Sequence, residues 1–501
     1  MAVIPATENP SLPPRGHPVG ISALIVGAGV AGLLCALELW RQGIEVQIIE
    51  RSPSRNTSGD GFSISYNIIR SLRNWPYMAK KNEEIAFHSY LAWHNNKGER
   101  VTEPIKLEIE ESKGPGIEEE EEEEKSGPSH QVYRHSRPLF HLMLDTQLQM
   151  IGLKVQYGKR AIRYIDEDPE QGTKAAVELD TGEIIEADVV IAADGVGGHS
   201  TKATLGHEVP ARSTGHAIYR AAFPVEIVLS DPELAERFKL LPDGSPVAEL
   251  WIGEGIAATF GRTQSEMGWS LRHKASQDSA ESWSKYIAPQ QVIDDTTSKI
   301  EGWPEYANRL ILMTPKDKLL NFELVWRDPQ PIWTSKSGRI VQIGDAAHTF
   351  LPSSGNGANQ ALEDAISLAK CLAIAGKDNI GEATKVHNKL RFERVSCLQK
   401  VGIINQATGY GQNDKNNQIA SDFKPIPKYV KALMAPWVVK HDPEQYAAEK
   451  YHKALAALKS GDQFESTNIP RGYDSKPWNF EELLKIVQEG GEMELNEDWY
   501  K

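Results

Sequence analysis

The sequence predicts an α/β protein: a Rossmann-like three-layer nucleotide-binding domain interleaved with a mixed β-sheet domain and followed by a helical C-terminal extension. Three observations predict it. A strand, glycine turn, helix and second strand open the chain near residue 22. Two later apolar strand patterns each end in a glycine and aspartate pair. From residue 209 to about 330 the chain changes to short alternating runs with scattered aromatics, as in a separate mixed sheet.

The opening unit runs from Ser22 to Val26 through Gly27-Ala28-Gly29-Val30-Ala31-Gly32 into a helical pattern, Leu33 to Arg41. Past Gly43 comes a strand pattern, Glu45 to Ile49, ending at Glu50. A span of about 30 residues fits a dinucleotide-binding unit. Gly27 permits the tight turn, Gly29 lets backbone N–H groups approach a pyrophosphate, and Gly32 lets helix and strand pack closely. The helix start offers unpaired amides and the positive end of its dipole to two phosphates. Glu50, 18 positions after Gly32, is placed to accept hydrogen bonds from an adenosine ribose and to repel a 2′-phosphate. The turn specifies an ADP moiety and leaves NAD and FAD both open.

Composition narrows the class. The 501 residues allow two domains and an extension, and the formal net charge of −14 argues against a nucleic-acid surface. Half of that charge is the block of seven glutamates, Glu118 to Glu124, so the body is only mildly acidic. The three cysteines, Cys35, Cys371 and Cys397, show no metal or redox spacing and read as reduced core thiols of a cytoplasmic protein. Residues 1–20 hold five prolines and no secretion signal, and read as a disordered lead. Gly20 to Leu37 is uncharged for 18 positions, but its four glycines and change of period favour a buried nucleotide fold over a membrane span.

Further along, Phe62 to Ser65 is strand-like, Asn67 to Trp75 helical, and 85–109 weakly alternating. Residues 108–129 are low in complexity and dense in like charge, as in a disordered acidic insertion. Helical periodicity returns from Arg134 to Gln149. Strands follow at Lys154 to Gln156 and Ala175 to Leu179, the latter forming a hairpin with Glu183 to Glu186 through Asp180-Thr181-Gly182. The apolar run Asp188 to Ala193 ends in Asp194-Gly195, and Gly338 to Ile343 ends in Gly344-Asp345. After Pro352 and Gly355-Asn356-Gly357-Ala358-Asn359 a helix runs to about Ala375. Residues 401–501 are helical and carry no motif that can be interpreted alone. In a parallel sheet, ligands sit outside the carboxyl ends of the strands, so three such corners can line one long cofactor.

Together, and in this order, the motifs resemble the single-component FAD-dependent aromatic hydroxylases, the family of p-hydroxybenzoate and salicylate hydroxylases, and in particular their fungal biosynthetic branch. The resemblance covers roughly residues 20–400, and His441-Asp442, Asn468-Ile469-Pro470 and Trp478 are similar to that branch too. It implies an FAD-binding domain at 21–88, 130–208 and 331–400, and a substrate domain at 89–107 and 209–330. Glu50 would hold the adenosine ribose with Arg51 nearby. Asp194 and Gly195 would serve FAD and passing NAD(P)H, Asp345 after Gly344 would bind the ribityl chain, and Pro352 would lie against the flavin. Arg137, rather than Arg134, would stand beside the cofactor, and Arg220 and Asp60 are candidate catalytic residues. The chain departs from the common pattern at Thr349, where proline often stands, and at Asn356, where glutamine is frequent. From the residues themselves, Gly355 and Gly357 open a long helix whose amides at Ala358 and Asn359 can face the pyrimidine edge of a reduced, anionic flavin.

The implied function is a monooxygenase that uses NAD(P)H and O2 to insert one oxygen atom, through a flavin hydroperoxide, into an electron-rich aromatic such as a phenol, an indole or a related secondary metabolite. No metal is implied, and the sequence is silent on oligomeric state. The alternatives are a halogenase or prenyl-lipid reductase, or a non-enzymatic NAD-binding protein; the Trp-x-Trp-x-Ile segment usual in related halogenases is absent. Deleting Glu118 to Glu124 should leave turnover near that of the intact chain, because a solvated block makes no contact the reaction needs. Steady-state assay of the deletion checks this, and a large fall would show that the block touches something.

Overall fold

The computed structural model describes residues 12–55, 61–87, 90–106, 132–166, 174–253, 256–276, 286–409, 428–489, 491, 493 and 495–500. The acidic insertion, Asp60 and residues 1–11 lie outside the described residues. Residues 12–20 do not form a loose lead. Gly16 N donates to Arg41 O at 2.7 Å, Val19 N to Gly43 O at 3.1 Å, and Arg15 to Glu45 at 2.9 Å, so this segment lies against the end of the first helix.

At the centre is a parallel sheet of five strands in the order Ile340–Gln342, Val189–Ala192, Ser22–Val26, Glu45–Glu50, Val155–Tyr157. Its two middle strands are buried almost throughout, which is why they read as unbroken apolar runs. One face packs on the helices Val30–Arg41, Arg137–Met150 and Gly357–Ala375. The other face meets a three-stranded antiparallel sheet through Leu24, Val26, Ile49, Val190 and Ile340 against Tyr164, Val177 and Leu179. That outer sheet contains the expected hairpin, Ala175–Leu179 with Ile184–Ala187, and a strand the alternation did not reveal, Ala161–Asp166, whose Ile162 faces water.

The helix expected from Arg134 begins at Arg137. Tyr133–Ser136 pairs instead with Gly61–Ile64, and Arg134 exchanges backbone hydrogen bonds with Phe87. The helix expected over 67–75 is Tyr66–Leu72, and a second one, Pro76–Ile85, starts with proline in its first turn, where the missing N–H costs nothing.

The second body is a mixed sheet of seven strands in the order Leu319–Trp326, Arg212–Pro224, Glu266–Lys274, Ile256–Arg262, Val247–Gly253, Tyr90–His94, Ile105–Lys106. Tyr219, Ala221, Phe223, Trp251, Phe260 and Trp269 bury one face of it against the helices Pro232–Arg237, Pro289–Asp295 and Glu305–Leu312. Arg220 and its alternate neighbours therefore lie on the opposite face.

The C-terminal part is helical, as expected, beginning with the 30-residue helix Ile380–Gly409, which runs on through residue 400. Lys428–Leu433, Pro436–Val439, Pro443–Ser460 and Phe480–Gln488 follow. Arg394 ties these pieces to the rest. Its Nε and Nη2 donate to the two oxygens of Glu363 at 2.9 and 3.0 Å, Nη1 to Trp437 O and Asn468 O at 2.9 Å each, and Nη2 also to Val438 O at 2.9 Å. All five N–H groups of a fully buried guanidinium are satisfied, the condition under which its desolvation is offset. Among the described residues no helix is long and apolar enough to cross a membrane.

Replacing Arg394 by Gln removes the charge facing Glu363 and should destabilise the fold by about 3–5 kcal/mol in urea titration. Glu363 has a pKa lowered from 4.5 to about 2: desolvation opposes the shift, and Arg394 and Arg391 outweigh it. Its contribution is thus present above pH 4.5 and lost as pH falls through about 2. Removing Arg394 should shrink this acid-sensitive part of the stability.

Candidate cofactor and active site

The three glycine corners occupy neighbouring strands and the same end of the parallel sheet. Gly27 N donates to Ile49 O at 2.8 Å, Ala193 N to Val26 O at 2.9 Å, and Ile343 N to Ala192 O at 3.0 Å, so the chain leaves all three strands in register. Gly29, Asp194, Gly195 and Asp345 are thereby gathered along one edge, as expected of a site outside the strand ends.

Each glycine of the first turn has its own steric reason. A Cβ on Gly27, at φ 109°, would stand 2.3 Å from Ala193 O, and one on Gly32 would stand 2.0 Å from Gly27 O. A Cβ on Gly29, Gly195 or Gly355 would meet no atom of the described residues within 4 Å. Among the described residues nothing fills the space beside these three glycines, which fits a ligand laid along the edge.

Glu50 is drawn into the turn. Its Oε2 accepts from Ala28 N and its Oε1 from Ser52 N, both at 2.9 Å, and each oxygen keeps a further lone pair for a ribose hydroxyl. Arg51 is exposed beside it. Asp194 turns onto its own loop, accepting from Tyr164 OH at 2.8 Å, His199 N at 3.0 Å and Ser200 Oγ at 3.0 Å. A Cβ on Gly198 would overlap that carboxylate, so the glycine there makes room for it. Desolvation raises the pKa of Asp194, and these donors act against it. The open space at this corner lies at Gly195, not at the acid.

At the third corner Gly344, at φ 60°, packs against Ala31 and Ala361 and lets two helices approach the turn. Asp345 is exposed, and desolvation raises its pKa while the basic groups His348, Arg137 and Arg327 lower it. Such an exposed carboxylate suits a polyol hydroxyl. Pro352 and Gly355 are exposed in the following loop, and Gly357 and Ala358 open the helix Gly357–Ala375. That helix and Val30–Arg41 have neither a side-chain cap from their N-cap residue nor an acid in the first turn, so both expose free amides and a positive dipole end. Asn359 fixes the loop opposite: its Oδ1 accepts from Ser65 N at 2.9 Å and its Nδ2 donates to Ser63 O at 3.2 Å.

Arg137 starts its helix close enough to act on Asp345, and one turn later His141 Nε2 donates to Ala28 O at 2.7 Å, tying that helix to the glycine turn. Arg220 is on the seven-stranded sheet, with its guanidinium 5.7 Å from the centre of the Phe322 ring. Ile218, on the same face, packs with the cluster containing Leu351.

Sequence reasoning missed the residues beneath the third corner. Asp364 accepts from Gly344 N at 3.0 Å, His348 Nε2 at 2.6 Å and Arg391 Nε at 2.8 Å. Glu363 accepts from Asn67 Nδ2 at 2.6 Å and Gln360 Nε2 at 3.0 Å as well as from both arginines. The signal was an acidic pair set among Leu362, Ala365 and Leu368 on a helix whose every side is apolar or small. The two departures from the common pattern also acquire partners: Thr349 Oγ1 accepts from Arg327 N at 3.0 Å, and Asn356 Nδ2 donates to Ser354 O at 2.9 Å and Leu433 O at 3.3 Å.

Comparison with known proteins identifies this arrangement. The FAD binding domain family matches residues 21–384. The chain is 37% identical over 482 residues to the FAD-dependent monooxygenase fsr3 of Gibberella fujikuroi, covering 96% of this chain and 89% of that protein. It belongs to the FAD-dependent aromatic hydroxylase-like monooxygenases, in their fungal biosynthetic branch. It is also 35% identical over 506 residues to the FAD-dependent monooxygenase mdpD of Emericella nidulans, covering 97% of this chain and 92% of that one. Among solved structures it is similar to CtdE in complex with FAD and a substrate, with 26% identity, a TM-score of 0.72, and 88% and 100% of the two chains covered. FAD-dependent monooxygenases of this family need FAD, and the free space beside Gly29, Gly195 and Gly355 agrees with that need.

Replacing Gly29 by Ala should weaken FAD binding while leaving the melting temperature of the apoprotein nearly unchanged, since its Cβ meets nothing. Replacing Gly32 by Ala should lower the melting temperature itself, because the Cβ strikes the turn. Flavin fluorescence titration together with thermal unfolding separates the two. Asp345→Ala should lose FAD without unfolding, and full flavin occupancy in that variant would remove Asp345 from the site.

Proposed function

We propose that this monooxygenase takes electrons from NAD(P)H and inserts one atom of O2 into an electron-rich aromatic small molecule, a phenol, an indole or a related secondary metabolite, the other atom leaving as water. The supporting observation is the convergence of Asp345, two uncapped helix starts and Arg137 on one edge of the parallel sheet. When bound, FAD supplies the two-electron reduction and the activation of oxygen.

The chain's own residues prepare that chemistry. Amides at Gly357, Ala358 and Asn359 with the helix dipole favour negative charge at the pyrimidine edge. Glu50 holds the ribose, Arg51 lies nearby, and Gly27, Gly29 and Gly32 shape the pyrophosphate turn. Asp345 would hold the polyol chain, and Pro352 would lie against the ring system. Asp194 shapes the corner from which Gly195 meets FAD and the incoming reductant. In this reading 21–88, 130–208 and 331–400 carry the cofactor, while 89–107 and 209–330 form the substrate side and exclude water. Arg220 and Asp60 are proposed at the boundary between them. The three buried thiols suit work in the reducing cytoplasm.

The test is anaerobic mixing of the holoenzyme with NADPH or NADH in the presence of candidate phenols and indoles, followed by admission of 18O2. The reading requires that a substrate accelerate flavin reduction and that its product carry one labelled atom. Reduction by NAD(P)H with unlabelled product across the aromatic panel would sink it in favour of a reductase.

A further inference from the structure

The strand Leu319–Trp326 leaves the substrate-side sheet and is followed at once by Arg327, whose guanidinium turns inward and is 6% exposed. Nη2 donates to Val196 O at 2.6 Å, and Nη1 makes a longer contact with Ala346 O at 3.5 Å. Val196 follows Asp194-Gly195, and Ala346 follows Gly344-Asp345. One side chain thus grips the residue after two of the three cofactor corners.

Its backbone is held as well. Arg327 N donates to Thr349 Oγ1 at 3.0 Å, that hydroxyl lies 3.4 Å from Arg327 O, and Thr349 O accepts from Gln399 Nε2 at 2.7 Å. Proline at 349 would have no hydroxyl for this clasp. Close packing does not explain the arginine, because it borders a recess of about 560 Å³ that Val196, Gly198, His199, Val209 and Val325 also line. A buried guanidinium is costly unless its donors are met, so its direction toward two carbonyls is the informative fact.

We propose that Arg327 is a positioning residue that holds the Asp194-Gly195 and Gly344-Asp345 corners in register, so that the end of a substrate-side strand sets how tightly the chain holds FAD. The part that concerns Asp345 rests on the reading above that this carboxylate binds the cofactor's polyol. The groups acting on Asp345 are His348 on its own turn, Arg137 on the neighbouring helix, and Arg327. All three lower a pKa that desolvation raises. Removing Arg327 therefore lets Asp345 take up a proton at higher pH, and the acid limb of FAD retention should move upward.

The experiment compares Arg327→Gln and Arg327→Lys with the wild type, in each case measuring the dissociation constant of FAD on reconstitution from pH 5 to 8, and the melting temperature. R327Q should raise the dissociation constant about tenfold or more and shift the acid limb upward. R327K should keep the acid limb near its wild-type position but still bind FAD more weakly, because a single ammonium lacks the planar fork that reaches both carbonyls. A wild-type dissociation constant and acid limb in R327Q overturn the proposal. Should R327Q fail to fold, a wild-type dissociation constant in R327K overturns it instead. The single variant Asp345→Ala separates this idea from the polyol reading. If D345A alone keeps its FAD, the polyol reading falls, while a raised dissociation constant in R327Q still supports alignment of the corners.

Discussion

Two adjacent carboxylates with no exposure, Glu363 and Asp364, sit within the helix Gly357–Ala375, and much of the molecule is arranged around neutralising them. A buried carboxylate without partners costs several kcal/mol, so the pair persists only because the next helix presents Arg391 and Arg394 against it. Both acids are held ionised. Desolvation works to raise their pKa values, and the neighbouring basic groups, Arg394 and Arg391 for Glu363 and His348 and Arg391 for Asp364, drive them well below the usual carboxylate range. What the ionised pair provides is acceptors. Asp364 takes the N–H of Gly344 and the ring of His348 and so fixes the turn that presents Asp345, while Glu363 takes Asn67 and fixes the short helix following the strand Gly61–Ile64.

This constraint explains the C-terminal helices. Two of the residues that resembled the fungal branch join the same network, since Asn468 offers its carbonyl to Arg394 and His441 lies 3.9 Å from Glu363, while Asp442 caps the helix Pro443–Ser460 and Trp478 donates to Ser396. Trp478 and Phe480 also stack on Trp326 at the end of the strand Leu319–Trp326. The extension therefore backs the loop that carries Pro352 and Gly355. Leu433 O and Gly402 O accept from Asn356 and Ser353 inside that loop.

What could be read from the sequence was whatever the backbone itself demands. A glycine is required where a Cβ would strike Ala193 O or Gly27 O, so Gly27 and Gly32 announced the turn, and continuous apolar runs announced strands covered on both faces. Partners distant in the chain left no local trace. Nothing near Glu363 points to Arg394, 31 residues on, or to carbonyls at 437, 438 and 468. Asp194 was expected to face the cofactor because it ends a strand. The signal that it folds onto its own loop was Gly198, whose meaning depends on knowing where the carboxylate lies. The strand Ala161–Asp166 escaped because it lies in the outermost layer, where exposed Ile162 and Arg163 blur the alternation.

The departures at Thr349 and Asn356 show how one network can be rebuilt with different residues. Proline at 349 would stiffen the loop by fixing φ; Thr349 instead fastens it, through its hydroxyl to the backbone of Arg327 and through its carbonyl to Gln399. Asn356, shorter than glutamine, reaches Ser354 O in its own loop and Leu433 O in the extension. In both cases the residue present makes a contact that spans two parts of the fold. The position of the loop that presents Pro352 and Gly355 thereby depends on the substrate-side strand at Arg327 and on the helix Lys428–Leu433. A loop fastened from both sides holds its helix start at a fixed distance from Asp345, and electrostatic stabilisation of a reduced cofactor needs that rigidity, because a dipole that must first reorient gives back much of what it stabilises.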